Sequence, residues 1–227
     1  MTDLRLYSAR ACPFAHRTCL VLGYKGLPFE LVEIDLRNKP GWFKEVSLYG
    51  KVPALEHAGR RIVESAVINE YLDEVFPAAP LVPREPLGRA LGRIWIDFAN
   101  TRLAPAFARV LRAPTSGERE NGRKELSDAL STIEHEALSS LSGSGPFWFG
   151  AQPSLVDLTF YPWFERLPAL AELHGFSVSR ELNRLSAWRG AVEQLPAVRA
   201  IANATEFYLE RFRSYLAPQA ATTSPAN

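Results

Sequence analysis

Cysteine is scarce in this sequence: 227 residues contain two, Cys12 and Cys19. Two thiols do not build a disulfide framework, and a reducing cytoplasm is the compartment that suits them. Net charge is scarce as well. The 26 Lys and Arg nearly cancel the 25 Asp and Glu, leaving +1, so charge gives no reason to expect nucleic acid or an anionic membrane as partner. No apolar run approaches the ~20 residues needed to cross a bilayer. The opening MTDLRLYSAR lacks the apolar core and small-residue cleavage site of a secretory leader. No internal repeat is visible, and no metal site is expected. What remains is ordinary globular composition, 47% hydrophobic and 22% charged, with enough chain for a large core in two modest domains.

The first third of the chain reads differently from the rest. Leu4-Arg5-Leu6-Tyr7 alternates as a short strand, and a helical pattern runs from Pro13 through Phe14, Cys19, Leu20 and Leu22. Gly23 and Gly26 punctuate its end. Phe29 to Ile34 is rich in β-formers. After the irregular Asn38-Lys39-Pro40-Gly41, a short amphipathic piece runs through Val46. Val52 to Glu56 and Arg60 to Val63 form a hairpin about Ala58-Gly59, and a helix follows from Ser65 to Val75. The order β-α-β-α-β-β-α predicts one sheet with helices on its faces.

Pro77, Pro80, Pro83 and Pro86 then mark a linker. Beyond it strand signals vanish. Helical spacing covers Gly88 to Leu111, Glu118 to Leu141, Ser154 to Leu170, Ser179 to Gln194 and Pro196 to Tyr215. The predicted division is an α/β domain at 1–78, a linker at 79–87, an all-helical domain at 88–217 and a small, polar, frayed tail at 218–227.

Cys12-Pro13 falls where the first strand gives way to the first helix. Proline favours the first helical position, which leaves Cys12 just ahead of it. Unpaired N–H groups and the helix dipole stabilise an anion there, and a cysteine so placed falls below its free pKa of about 8.5. The thiolate is the attacking species, so Cys12 is the candidate nucleophile. A small residue filling a turn is the alternative. Cys19, two turns on among Thr18, Leu20 and Val21, reads as a buried structural cysteine. The spacing is not Cys-x-x-Cys, since Ala15 stands where the second cysteine would be, so an external thiol must resolve any redox intermediate. His16 shares the helix face of Cys12 but reads as solvent-facing.

Three further segments carry chemistry. In Lys51-Val52-Pro53 a cis bond would turn the Val52 N–H and C=O toward an extended peptide, although Val-Pro at a strand start also serves as an edge device. Ser65 is a natural N-cap whose hydroxyl and helix N–H groups would hold a carboxylate, and Glu64 would meet an ammonium. Lys39, in a loop, would reach a second carboxylate. Together these features suit glutathione, with its zwitterionic head, central peptide unit and terminal carboxylate, and they set Cys12 beside its sulfur.

The chain resembles a glutathione transferase, and most of all the omega class with its cysteine site. The matching stretches are Cys12-Pro13-Phe14-Ala15, Leu36-Arg37-Asn38-Lys39-Pro40 with Trp42-Phe43, Lys51-Val52-Pro53, Glu64-Ser65-Ala66 with Glu70-Tyr71-Leu72-Asp73, and Pro162-Trp163-Phe164-Glu165-Arg166-Leu167. The resemblance implies a thioredoxin-like N-terminal domain followed by an all-α C-terminal domain, a homodimer, and glutathione as cosubstrate. It implies that Cys12, Lys39, Val52, Glu64 and Ser65 contact or react with glutathione, with Phe14 and Leu36 as neighbours. It also implies a second-substrate cleft between the domains. Trp163 matches a position lining that pocket, and Phe98, Arg102 and Phe107 lie on a long helix that borders it. Some omega members carry an extension before the first strand, and nothing that depends on it is carried over.

Ser154-Leu155-Val156-Asp157 is a capping box and reads as structural. The expected activity is glutathione-dependent thiol transfer or reduction, including deglutathionylation of aromatic α-keto thioethers and dehydroascorbate reduction. Cys12 would pass through a mixed disulfide with glutathione, and the co-substrate would be small and hydrophobic or oxidised. A conjugating transferase, β-etherase or dehalogenase is one alternative; a non-enzymatic interaction protein keeping the fold is another.

Overall fold

The structure is a computed structural model and describes residues 3–217; the tail expected at 218–227 lies outside the described residues. Four strands, β1 (Leu4–Ser8), β2 (Glu30–Glu33), β3 (Ala54–His57) and β4 (Arg60–Val63), form one sheet in the order β2-β1-β3-β4. β1 runs parallel to β2 and antiparallel to β3, and β3 pairs antiparallel with β4 across the Ala58-Gly59 turn. The two-residue alternation of β1 decides which side each residue serves. Leu4 and Leu6 enter the large core shared with the helices, while Tyr7 joins a smaller cluster with Ile34, Phe43, Val46 and Val52 on the other face.

Three helices complete this half: α1 (Pro13–Tyr24), the short α2 (Phe43–Val46) and α3 (Ser65–Val75). The segment after α3 is pinned. Asp73 accepts hydrogen bonds from the N–H groups of Leu81 and Val82, and pairs with Lys25 Nζ at 2.7 Å.

The helical half contains α4 (Pro86–Phe98) and α5 (Ala104–Arg112), joined by a π-helical segment, Ala99–Leu103. A second long run comprises α6 (Ser116–Thr132), a π-helical segment at Ile133–Leu138, and α7 (Ser139–Leu141). Then follow α8 (Leu155–His174), α9 (Asn183–Glu193), α10 (Pro196–Ile201) and α11 (Thr205–Leu216). The helix expected from Pro196 to Tyr215 is thus two helices. Asn203 breaks it because its backbone N–H donates to Glu165 Oε1 instead of continuing the ladder.

α8 is the central post. It is buried along most of its length and packs against α1, α4, α5, α9 and α11. Its start is the expected capping box, with Asp157 also accepting from Trp148 N–H and Trp188 Nε1. Gly175 closes it at φ 67°, a left-handed conformation that suits glycine. Among the described residues no helix is long and apolar enough to cross a membrane.

Candidate functional site

Cys12 occupies the N-cap position of α1, extended at φ −80° and ψ 120°, with Pro13 opening the helix. Its Sγ lies 3.9 Å from the carbonyl oxygen of Val52, and the Val52-Pro53 bond is cis. The thiol therefore stands at the end of the sheet beside an outward-turned strip of backbone. Next to it opens a cleft whose lining includes Phe14, Lys51, Val52, Pro53, Glu64 and Ser65. Leu36 and Cys12 each pack, partly buried, against the smaller core. Lys39 Nζ, exposed, donates to the carbonyl of Gly50 at 2.9 Å.

Two details of the predicted site are corrected. Ser65 is the first residue of α3 and not its cap; Glu64 holds the N-cap position with φ 67° and ψ 107°. The Ser65 hydroxyl is already engaged, accepting a 2.8 Å hydrogen bond from Arg17 Nε. The Glu64 carboxylate remains exposed at the cleft, and its backbone is held where non-glycine residues are strained.

His16, expected to face solvent, is buried. Its Nδ1 lies 3.2 Å from Arg166 Nη1 and 4.0 Å from Glu165 Oε1, because α8 covers this face of α1. Burial, with Arg166 beside it, keeps the imidazole well below its ordinary pKa and therefore neutral.

The electrostatics of Cys12 also depart from expectation. Burial pushes the thiol up, and this outweighs the opposing pull of the Ala15 and Phe14 N–H groups and of the Arg166 and Arg17 charges. The helix terminus is present, but its pull on the thiolate works against a larger desolvation. Cys19, half-buried with its Sγ 3.9 Å from Ser8 Oγ, is pushed up to about 11 by burial, in keeping with a structural role.

The acceptor side is rearranged as well. Trp163 does not reach the surface: at 2% exposure it sits inside α8's packing and meets Phe14 edge-on with ring centroids 5.1 Å apart. It backs the wall that Phe14 presents. Phe98 and Arg102 line a separate groove with Ala106, Asp128 and Thr132, which shares no lining residue with the cleft beside Cys12. In the π-helical segment Asn100 is instead the residue directed at the site, accepting from Arg17 Nη1 at 3.0 Å. Phe107 is buried and packs edge-on against Phe212 of α11. The end of α11 closes over the Leu36–Lys39 loop, where Arg37 Nη1 donates to Ser214 Oγ at 2.8 Å and its guanidinium lies over the Tyr215 ring.

The residues missed from sequence are Arg17, Asn100 and Arg166. A signal existed for Arg17: α1 has no carboxylate, so a cation in that apolar helix finds no partner there. For Arg166 the partners come from segments distant in sequence, and no local pattern announces them.

This arrangement can seat an extended peptide along Val52, hold a zwitterionic head at Glu64 and Ser65, and present a sulfur nucleophile between them. Comparison with known proteins gives the family. The family model for the glutathione S-transferase N-terminal domain matches residues 11–75, and that for the C-terminal domain matches residues 116–200. Glutathione S-transferase omega-1 of Sus scrofa is 36% identical over 87% of this chain and 80% of its own. Glutathione transferase Omega 3C of Trametes versicolor superposes with a TM-score of 0.82 at 28% identity, over 95% of this chain and 91% of that one. A rice glutathione transferase solved in complex with glutathione gives a TM-score of 0.83 at 28% identity, over 95% and 96%. With both halves matched by its models and a relative of this identity spanning most of the sequence, the chain belongs to the glutathione S-transferase family and is similar to its omega class.

Proposed function

We propose that the chain is a glutathione-dependent thiol transferase and reductase in which Cys12 carries the chemistry. The observation behind this reading is the position of Cys12 Sγ, at the head of α1 and 3.9 Å from the Val52 carbonyl. Glutathione would lie with its cysteinyl unit paired to the Val52 backbone. Its head would meet Glu64 and the N-terminus of α3, and its terminal carboxylate would meet Lys39. Phe14 and Leu36 would border its sulfur.

The reaction has two exchanges. The Cys12 thiolate attacks the glutathionyl sulfur of a mixed disulfide; the S–S bond breaks and the substrate sulfur leaves with the electron pair, then takes a proton. A second glutathione thiolate attacks the same glutathionyl sulfur, now bound to Cys12. That step releases glutathione disulfide and returns the Cys12 thiolate. Conjugation of electrophiles fits less well. A cysteine next to glutathione's sulfur forms a disulfide, where conjugating chemistry needs a hydrogen bond donated to the glutathione thiolate.

The co-substrate is proposed to be small and hydrophobic or oxidised, the compartment a reducing cytoplasm, and the assembly a homodimer. Tyr49, Val67 and Ile94 are exposed apolar side chains that pairing would cover. The test is Cys12→Ser. Thioltransferase turnover should be abolished while glutathione affinity is largely kept, and undiminished turnover would refute the assignment.

A further inference from the structure

Two arginines lie fully buried beside the thiol, one from each half of the molecule: Arg17 on α1 at 2% exposure and Arg166 on α8 at 1%. Their partners are neutral. Arg17 donates to Ser65 Oγ at 2.8 Å and Asn100 Oδ1 at 3.0 Å, and lies over the Phe14 ring. Arg166 donates to Pro162 O at 2.6 Å and Ala11 O at 3.1 Å, abuts His16 Nδ1 and lies over the Tyr208 ring. Its Nε finds no partner. Glu165 is the buried carboxylate nearby: its Oε1 is taken by the Tyr208 hydroxyl and the Asn203 N–H, its Oε2 has no hydrogen-bond partner, and its charge offsets part of that on Arg166 without forming an ion pair. Among the described residues, neither arginine makes an ion pair with a carboxylate.

A buried guanidinium without a direct ion pair is costly, and structures keep such charges where they meet a counter-charge. Ala11, whose carbonyl Arg166 holds, is the residue before Cys12, and Arg17 is five residues after Cys12 on the same helix. We propose that Arg17 and Arg166 are positioning residues that serve as paired counter-charges for the Cys12 sulfur anion, one set by each half of the fold. The inference rests on Cys12 as the working thiol.

The other groups facing Cys12 do not replace them. Tyr215 of α11 is an acid, pushed up by burial and then by the Cys12 charge. His16 is neutral, Glu64 faces Arg17 from the cleft and adds negative charge, and the Val52-Pro53 strip carries no ionisable side chain. The arginines matter most when Cys12 is the leaving group. As the second glutathione attacks the glutathionyl sulfur, the electron pair of the broken S–S bond returns to Cys12 Sγ, and a stabilised thiolate leaves faster.

The test is alkylation of Cys12 by iodoacetamide as a function of pH, without glutathione, in a Cys19→Ala background so that intact mass reports one thiol. R17M and R166M are expected to raise the midpoint by about one pH unit each, slowing alkylation roughly tenfold at neutral pH. R17K and R166K, which keep the charge, should stay near the parent. Because the readout needs no turnover, it is separable from the Cys12→Ser result: a dead Cys12→Ser enzyme with unmoved midpoints sinks this inference alone. Midpoints unmoved in folded R17M and R166M, or moved as far by lysine as by methionine, would overturn it. A second measurement needs no arginine variant. In the folded Cys19→Ala protein, anionic iodoacetate should gain on neutral iodoacetamide relative to the same chain in denaturant at matched thiolate fraction, and equal ratios would overturn the proposal.

Discussion

Arg17 Nε donates a 2.8 Å hydrogen bond to Ser65 Oγ, tying the first residue of α3 to the buried face of α1. The hydroxyl proposed to meet the head of glutathione is thus oriented by a charge from another helix. Ser65→Ala removes an acceptor from a buried guanidinium as well as a ligand contact. The expected loss is about 1–3 kcal/mol in each of stability and binding, so glutathione affinity should fall roughly tenfold or more by calorimetry and the melting temperature should drop with it. A variant that binds and melts like the parent would show that this hydrogen bond holds nothing in place.

Glu64 offers the opposite trade. Its φ of 67° and ψ of 107° put a non-glycine residue where strain of about 1–3 kcal/mol is stored. Glu64→Gly relieves that strain at an entropic cost of roughly 0.5–1 kcal/mol, and it deletes the carboxylate proposed for the ammonium of glutathione. Chemical denaturation should show equal or greater stability, while glutathione titration shows weaker binding. Loss of stability with intact binding would reverse the reading of this residue.

Much of this was legible from short-range patterns, because the causes are local. The alternation of Leu4, Leu6 and Tyr7 sets the faces of β1, and Pro13, a residue favoured at the first helical position, opens α1 just after Cys12. What failed was set by tertiary contact. Trp163 looked like a pocket residue but lies inside α8's packing. Arg102 lies in the π-helical segment that follows Phe98, a feature without periodic signature. Ser65 resembled a cap because a strained Glu64 is not a conformation that sequence suggests. Arg166 and Ala11 are 155 positions apart, so no window contains both.

His16 makes the fold sensitive to acid. Its folded-state pKa lies well below 6.5 because of burial, then Arg166. The unfolded chain binds a proton there near pH 6.5 and the folded chain does not. Stability from this group is therefore present above the unfolded pKa and lost as pH falls toward the folded value. Melting temperatures measured from pH 8 to pH 5 should fall below about pH 6.5. His174 is shifted the same way, so the discriminating comparison is with His16→Gln, whose decline should be shallower. Parallel curves for the two proteins would exclude His16 as the source.

Asp157 is the most demanding residue of the helical half. Fully buried, it accepts hydrogen bonds from Ser154 N–H and Oγ at 2.7 Å each, from Trp148 N–H at 2.9 Å and from Trp188 Nε1 at 2.7 Å. One carboxylate thus closes the capping box of α8 and fixes two tryptophans that pack edge-on with ring centroids 5.9 Å apart. Asp157→Ala strips the cap, worth about 1 kcal/mol, and orphans buried donors at about 1–3 kcal/mol apiece, so a total loss of at least about 3 kcal/mol is expected by urea unfolding. Asn at this position keeps one acceptor oxygen but turns the other into a donor facing donors, and should recover only part of the loss. α8 carries Arg166 and backs Phe14 through Trp163. The same substitution should therefore slow Cys12 alkylation by iodoacetamide under conditions where the variant remains folded. An Asp157→Ala protein as stable as the parent would mean that the tryptophans hold the end of α8 without the carboxylate.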